Sequence, residues 1–277
     1  MSETLTPRAP AAQRGEASDS RGAPAKPERF LIRKAAVLGA GVMGAQIAAH
    51  LANANVKPLL FELAAEGKDK NANVKKALDG LAKLSPSALA TASAAQQIEA
   101  RNYDEHLAQL QECDLVIEAI SERMDWKKSL FEKVAPHIAP DAIFASNTSG
   151  LSITELAKSL PAGLRKRFCG IHFFNPPRYM RLVEIVPTPD TDPAILDRLE
   201  TFLTTTLGKG VIRAKDTPNF VANRVGVFSM LARCTTPWLS SSGSTRSTRS
   251  PARRSAAPRA PRIARRMSSD WTPWRTS

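Results

Sequence analysis

The stretch that decides the fold is Lys34-Ala35-Ala36-Val37-Leu38-Gly39-Ala40-Gly41-Val42-Met43-Gly44. A short apolar run leads into G-x-G-x-x-G, and Met43 to Asn53 continues with helical spacing, Ile47 and Leu51 standing among several alanines. Such a glycine motif is a weak signal alone. Here it sits between a strand and a helix, where phosphate binding needs it. Gly39 allows the tight turn, Gly41 lets a pyrophosphate approach the backbone, and Gly44 lets helix and strand pack closely. Val42 and Met43 open the helix, whose N-terminus offers free N–H groups and a positive dipole end. The next apolar run, Val56 to Phe61, ends at Glu62, 23 residues after Gly39. A carboxylate there accepts hydrogen bonds from adenosine ribose hydroxyls and repels a 2′-phosphate, which favours NAD over NADP. The competing reading is a structural glycine turn with Glu62 as a solvated charge. Strand, turn, helix, strand and acid in register weigh against it.

Working outward, Ala64 to Leu84 reads as one long amphipathic helix, and Trp126 to Val134 as another. Asp114 to Ala119 and Ala142 to Ser146 read as strands; Arg167 to Phe174, Leu182 to Val186 and Gly210 to Arg213 read as later ones. Asp192 to Leu207 is a helix, and Asn219 to Leu231 starts a further one. Strands alternating with helices give an α/β fold with a parallel sheet, a Rossmann-type domain over residues 30–213.

Of the four histidines, His50 lies in the first helix with no visible partner, and His106 and His137 lie in polar, solvent-facing surroundings. His172 differs, because it ends the apolar strand Cys169-Gly170-Ile171-His172-Phe173-Phe174. The next strand, Leu182-Val183-Glu184-Ile185-Val186, carries a carboxylate inside an apolar run. A buried Glu needs a partner, and an imidazole with a carboxylate behind it is a base with its orienting group. A satisfied core histidine beside an edge-strand Glu fits the same spacing equally well.

The formal net charge of +13 over 277 residues points first to nucleic acid. Its distribution removes that reason. From Ala232 onward there are 10 Arg, no Lys and one acid, whereas the first 231 residues carry 29 bases and 25 acids. A body so balanced gives no electrostatic case for a nucleic-acid partner. At 43% apolar residues the chain has enough material for real cores. Cys113, Cys169 and Cys234 are odd in number, far apart and without metal-ligand spacing, so no metal site and no disulfide framework is expected. Reduced thiols, no secretory signal in Met1 to Arg29 and no run of roughly 18 apolar residues fit a cytoplasmic protein with a disordered leader over residues 1–29.

Five motifs together are similar to the L-3-hydroxyacyl-CoA dehydrogenases. They are Gly39 to Gly44, Ser146-Asn147-Thr148-Ser149, His172-Phe173-Phe174-Asn175-Pro176, Leu182-Val183-Glu184, and Lys215-Asp216-Thr217-Pro218-Asn219-Phe220-Val221-Ala222-Asn223-Arg224. The resemblance runs in order from about Ile32 to Leu231 and looks closest to the NAD-binding end of long bacterial fatty-acid-oxidation enzymes. It implies NAD-dependent oxidation of an L-3-hydroxyacyl-CoA to the 3-oxoacyl-CoA. His172 would be the general base and Glu184 its orienter. Ser149 and Asn223 would bind the substrate oxygen, with Asn223 also steadying His172. Gly39, Gly41, Val42, Met43, Gly44, Glu62, Glu122, Lys127, Ser149 and Asn175 would hold the cofactor. Without the resemblance, Glu122 and Lys127 read as a charge at a helix start and a solvated base. Lys83 reads as a surface lysine in preference to a contact for coenzyme A phosphates.

Family members continue into an all-helical domain that helps form the acyl-CoA cleft and usually the dimer. Here that domain is expected to start at residues 214–231 and to stop reading as a fold after Ala232. Residues 232–277 show no apolar period and hold three of the four tryptophans among Ser, Arg, Pro, Thr and Ala. Their composition reads as a disordered, out-of-frame tail. Shifting plausible GC-rich codons for Arg265 to Trp274 by one base gives T-A-D-V-V-G-L-D-T-M, text like the family's helical domain. On this reading the dimer surface is missing. Two alternatives follow: an NAD-binding but catalytically impaired fragment, and a basic-tail interaction protein whose nucleotide fold is a scaffold.

Overall fold

The computed structural model describes residues 31–239. The expected leader lies outside them, as does the expected tail from residue 240 onward. The chain divides into two compact units, one ending at Val227 and one beginning at Phe228.

The first unit is built on an eight-stranded sheet of order β3-β2-β1-β4-β5-β6-β7-β8. Its strands are β1 (Lys34–Leu38), β2 (Lys57–Glu62), β3 (Glu99–Asn102), β4 (Leu115–Glu118), β5 (Ile143–Ser146), β6 (Phe168–Phe173), β7 (Leu182–Pro187) and β8 (Gly210–Arg213). The helices are α1 (Val42–Asn53), α2 (Ala72–Leu81), α3 (Ala92–Ala95), α4 (Met124–Val134), α5 (Ile153–Ala157), α6 (Ala162–Arg165), α7 (Pro193–Thr205) and α8 (Ala222–Leu239). The first six strands run parallel, in the 3-2-1-4-5-6 order of doubly wound dinucleotide folds. Their C-terminal ends therefore share one edge, and a crevice opens beside β1, where the winding reverses.

Alternation on the central strands fills two cores. Ala35 and Val37 of β1 join Ile47, Leu51 and the apolar face of α7 on one side of the sheet. Ala36 and Leu38 join Phe131, Phe144 and Phe168 on the other. Those three rings meet at centroid separations of 4.8–5.5 Å. Burial pushes the thiols of Cys113 and Cys169 up to about 12, as expected of inert core cysteines.

Two expectations need correction, and one strand has no signal in the sequence. The sheet is not wholly parallel: β7 runs antiparallel to β6 because only residues 174–181 join them, too few for a crossover helix. Ala64 to Leu84 is not one helix. Gly67 takes a φ of +101°, Ala65 N–H donates to the Lys70 carbonyl, and Asp69 accepts from the Asn71 N–H, so helix forms only from Ala72. Glu99–Asn102 gives no apolar signal because β3 is a short edge strand carrying Glu99, Arg101 and Asn102. In addition, α8 continues past the boundary expected at residue 231, to Leu239. No helix among the described residues is long and apolar enough to cross a membrane.

Candidate functional site

The glycine turn joins β1 to α1 as its residues require. Gly39 sits at φ +106°, a region that side-chain-bearing residues rarely enter. A Cβ on Gly44 would lie 1.9 Å from the Gly39 carbonyl oxygen, so only glycine fits there. A Cβ on Gly41 would meet nothing within 4 Å, so the backbone at this position is open to an approaching ligand. No side chain caps the N-terminus of α1, and Val42 is exposed there while Met43 is half-buried. Free N–H groups, a helix dipole and open space form an anion cradle. Glu62 ends β2 beside it, accepting from the Ala40 N–H at 2.7 Å and the Leu63 N–H at 2.9 Å. Gly39, Gly41 and Glu62 open into a cavity of about 430 Å³ that is also lined by Tyr103, Ile120 and Trp126. This is a fitting place for the adenosine half of a dinucleotide.

Further along the same edge, β4 and β5 end in a buried polar network. Glu118 takes the Lys127 ammonium at 2.5 Å, the Ser146 hydroxyl at 2.6 Å and the Ile120 N–H at 2.7 Å. Lys127 is fully buried, and it also donates to the Ile120 carbonyl and stands 3.5 Å from Glu122. It is therefore not a solvated base, and its ammonium is engaged by protein acceptors. Glu122 accepts from the Thr148 hydroxyl at 2.5 Å, the Ser149 N–H at 2.7 Å and the Gly150 N–H at 3.1 Å. One carboxylate oxygen thus fixes the turn that presents Ser149.

His172 lies near the end of β6 and Glu184 directly opposite it on β7. Both are buried, and His172 Nδ1 is 2.7 Å from Glu184 Oε2. β7 has β8 on its other side, so Glu184 is not on an edge strand. Its second oxygen, Oε1, accepts the backbone N–H groups of Val221 and Ala222 at 3.0 and 2.8 Å, at the start of α8. Asn219 and Phe220, at φ +62° and +44°, make the sharp turn that brings this helix start inward. Phe220 and Phe174 then pack on the imidazole at centroid distances of 5.8 and 4.4 Å.

Asn223, one residue into α8, donates to the Ser149 carbonyl at 3.4 Å, so these two expected site residues are neighbours. The bond runs to Ser149 rather than to the imidazole. Asn175 is exposed, and its Oδ1 accepts from Gln46 of α1 at 3.2 Å, which ties the loop after His172 to the phosphate-binding helix. Gln46, Asn147 and Glu118 are site residues that the sequence does not mark. Asn147 Oδ1 accepts the Phe173 N–H at 2.9 Å and fixes the end of β6 beside His172. Lys83 is exposed just after α2. His106 and His137 are half-buried rather than solvent-facing, and His106 Nδ1 accepts the Asn102 N–H at 3.2 Å.

A doubly wound sheet with a glycine cradle, an acid ending β2 and a buried imidazole–carboxylate pair on the same edge defines the dinucleotide-dependent dehydrogenase class. Residues 34–217 match the family model described as 3-hydroxyacyl-CoA dehydrogenase, NAD binding domain, and the chain belongs to that family. A probable 3-hydroxyacyl-CoA dehydrogenase of Deinococcus radiodurans is 43% identical over 201 residues, covering 72% of this chain and 58% of that protein. One from Bacillus subtilis is 40% identical over 215 residues, covering 72% and 27%. The crystal structure of 3-hydroxybutyryl-CoA dehydrogenase from Escherichia coli superposes with a TM-score of 0.62 at 33% identity, covering 75% of this chain and 44% of that one. The chain thus spans little more than half of the first of these relatives and about a quarter of the second.

Proposed function

We propose that this chain catalyses NAD-dependent oxidation of an L-3-hydroxyacyl-CoA to the 3-oxoacyl-CoA. The observation that carries the reading is the His172–Glu184 pair, fixed by strand register on the sheet edge that holds the glycine cradle. With Nδ1–H donated to Glu184, the Nε2 lone pair is free to act as a base. Glu184 cannot turn away, because its other oxygen is held by two N–H groups of α8. His172 removes the proton of the substrate 3-hydroxyl, and Glu184 stabilises the imidazolium that forms. When bound, NAD supplies the acceptor for the hydride leaving C3.

Ser149 and Asn223 form the subsite for the reacting oxygen, placed by Glu122 and by their mutual contact. The cofactor is held by Gly39, Gly41, Val42, Met43 and Gly44 at the pyrophosphate, by Glu62 at the adenosine ribose, and by Asn175 and Glu122 near the reacting end. Lys127 acts on that end through Glu122 and Glu118. The acyl-CoA enters from the solvent side of this edge, and the protein works in the cytoplasm. Residues 30–213 form the cofactor domain and 214–231 begin the next one. Turnover of acetoacetyl-CoA with NADH tests the reading. NADH binding without turnover would contradict it and leave an impaired cofactor-binding fragment.

A further inference from the structure

Lys209 has no part in the chemistry above, yet it is a buried cation, 6% exposed, immediately before β8. Its ammonium donates to the carbonyl of Pro177 and, at 3.0 Å, to that of Met180. Both acceptors lie in residues 174–181, the loop that joins the His172 strand to the Glu184 strand. The adjoining Gly210 N–H takes the Arg181 carbonyl of the same loop at 2.8 Å.

We propose that Lys209 is a positioning residue that sets the register of His172 against Glu184 by tying together the two limbs of their connecting loop. The pair exists only because β6 and β7 meet in one antiparallel register, with His172 opposite Glu184. A slip by one residue would turn one partner to the opposite face of the sheet. A connection this long has many closures, and register follows the one that is held. Lys209 supplies that hold from the position just before β8, a strand fixed to β7 by the pairing of Leu182 with Gly210. The loop is held on two other sides. Arg178 donates to the carbonyls of Ser87 and Leu89, and Gln46 donates to Asn175. The Pro176 carbonyl closes the tip itself by accepting the N–H groups of Tyr179 and Met180, and among the described side chains Lys209 adds the tie from outside the loop, bonding carbonyls on both sides of Arg178 and Tyr179. Desolvation lowers its pKa to about 8, as expected of an ammonium kept in a site that has carbonyl acceptors but no carboxylate contact.

The catalytic consequence rests on the reading of His172 and Glu184 as base and orienter; the geometric one does not. The test uses the full chain with ¹⁵N-labelled histidine, comparing wild type with K209M. The readouts are the downfield His172 Nδ1–H resonance, NADH affinity, and kcat with acetoacetyl-CoA. In K209M the resonance is expected to shift or broaden, with kcat falling about tenfold or more and KM for NADH unchanged, because misplacement by about 1 Å costs up to ~100-fold. If K209M does not fold, K209Q gives the same reading, since its shorter amide cannot tie both carbonyls. An unperturbed His172 resonance in a folded variant would overturn the proposal. A wild-type chain that shows the resonance but no turnover would instead sink the functional reading.

Discussion

Glu184 serves two partners at once: Oε2 lies 2.7 Å from His172 Nδ1, and Oε1 accepts the N–H groups that open α8. The orienting carboxylate is therefore also a helix cap, and catalysis and stability are joined in one side chain. Replacing the base, His172→Gln, should lower kcat by ~10²–10⁴ while leaving stability little changed. Glu184→Ala should lower kcat and also cost ~1–3 kcal/mol, because it removes the buried carboxylate oxygen that holds the N–H groups of Val221 and Ala222 at the start of α8. Urea denaturation of the two variants beside wild type reads the difference. Equal stability losses would contradict the double role.

The glycine turn predicts opposite outcomes for two chemically identical changes. Gly44→Ala forces a Cβ to within 1.9 Å of the Gly39 oxygen and should unfold or strongly destabilise the β1–α1 unit. Gly41→Ala meets nothing within 4 Å and should fold normally, but its methyl stands where a pyrophosphate must approach. Thermal melts and NADH fluorescence titrations on both variants separate them. Wild-type NADH affinity in Gly41→Ala would show that the cofactor does not use this cradle.

At the end of β2, Glu62 faces the cavity with its carboxylate on the Ala40 and Leu63 N–H groups. Removing the charge in Glu62→Ala should weaken NADH binding and relieve repulsion of a 2′-phosphate. The NADH/NADPH affinity ratio should then fall by about tenfold or more, since a charge-assisted hydrogen bond is worth ~1.5–3 kcal/mol. An unchanged ratio in paired titrations would remove Glu62 from cofactor selection.

His50 gives a pH prediction. Its ring is buried in α1, and its pKa is lowered from 6.5 to about 4, by burial first, then by the charge of Lys209, with a smaller contribution from Arg178. Between those values the unfolded chain takes up a proton that the folded chain refuses. Stability contributed by neutral His50 is therefore complete above pH 6.5 and lost as pH falls toward 4, a total of ~3 kcal/mol. His50→Leu should flatten this part of the profile relative to wild type in urea melts from pH 7 to pH 4. Parallel profiles would mean that the His50 pKa is the same in the folded and unfolded chain.

Much of this was legible in the sequence because it depends on local pattern. The turn at Gly39 to Gly44, Glu62 at the end of β2 and the strands around His172 and Glu184 lie within a few residues of their own signals. The unread parts are long-range. The antiparallel turn into β7 depends on how residues 174–181 close. β3 carries polar residues because it is an edge, so it lacks the apolar run that marks a central strand. Lys127 looked like a solvated base because its acceptor, Glu118, sits on another element and reverses the cost of burying it. The capping of α8 by Glu184 spans nearly forty positions and rests on positive φ at Asn219 and Phe220, which an asparagine tolerates but a phenylalanine does not announce.

The most direct test of the central claim is the loss of NADH absorbance when the full chain is mixed with acetoacetyl-CoA, run beside His172→Gln. The expected result is steady oxidation of NADH by wild type and a rate lower by ~10²–10⁴ in the variant, with NADH affinity the same in both. NADH bound by both chains and oxidised by neither, or oxidised equally by both, would contradict the assignment of His172 and Glu184 as the working pair.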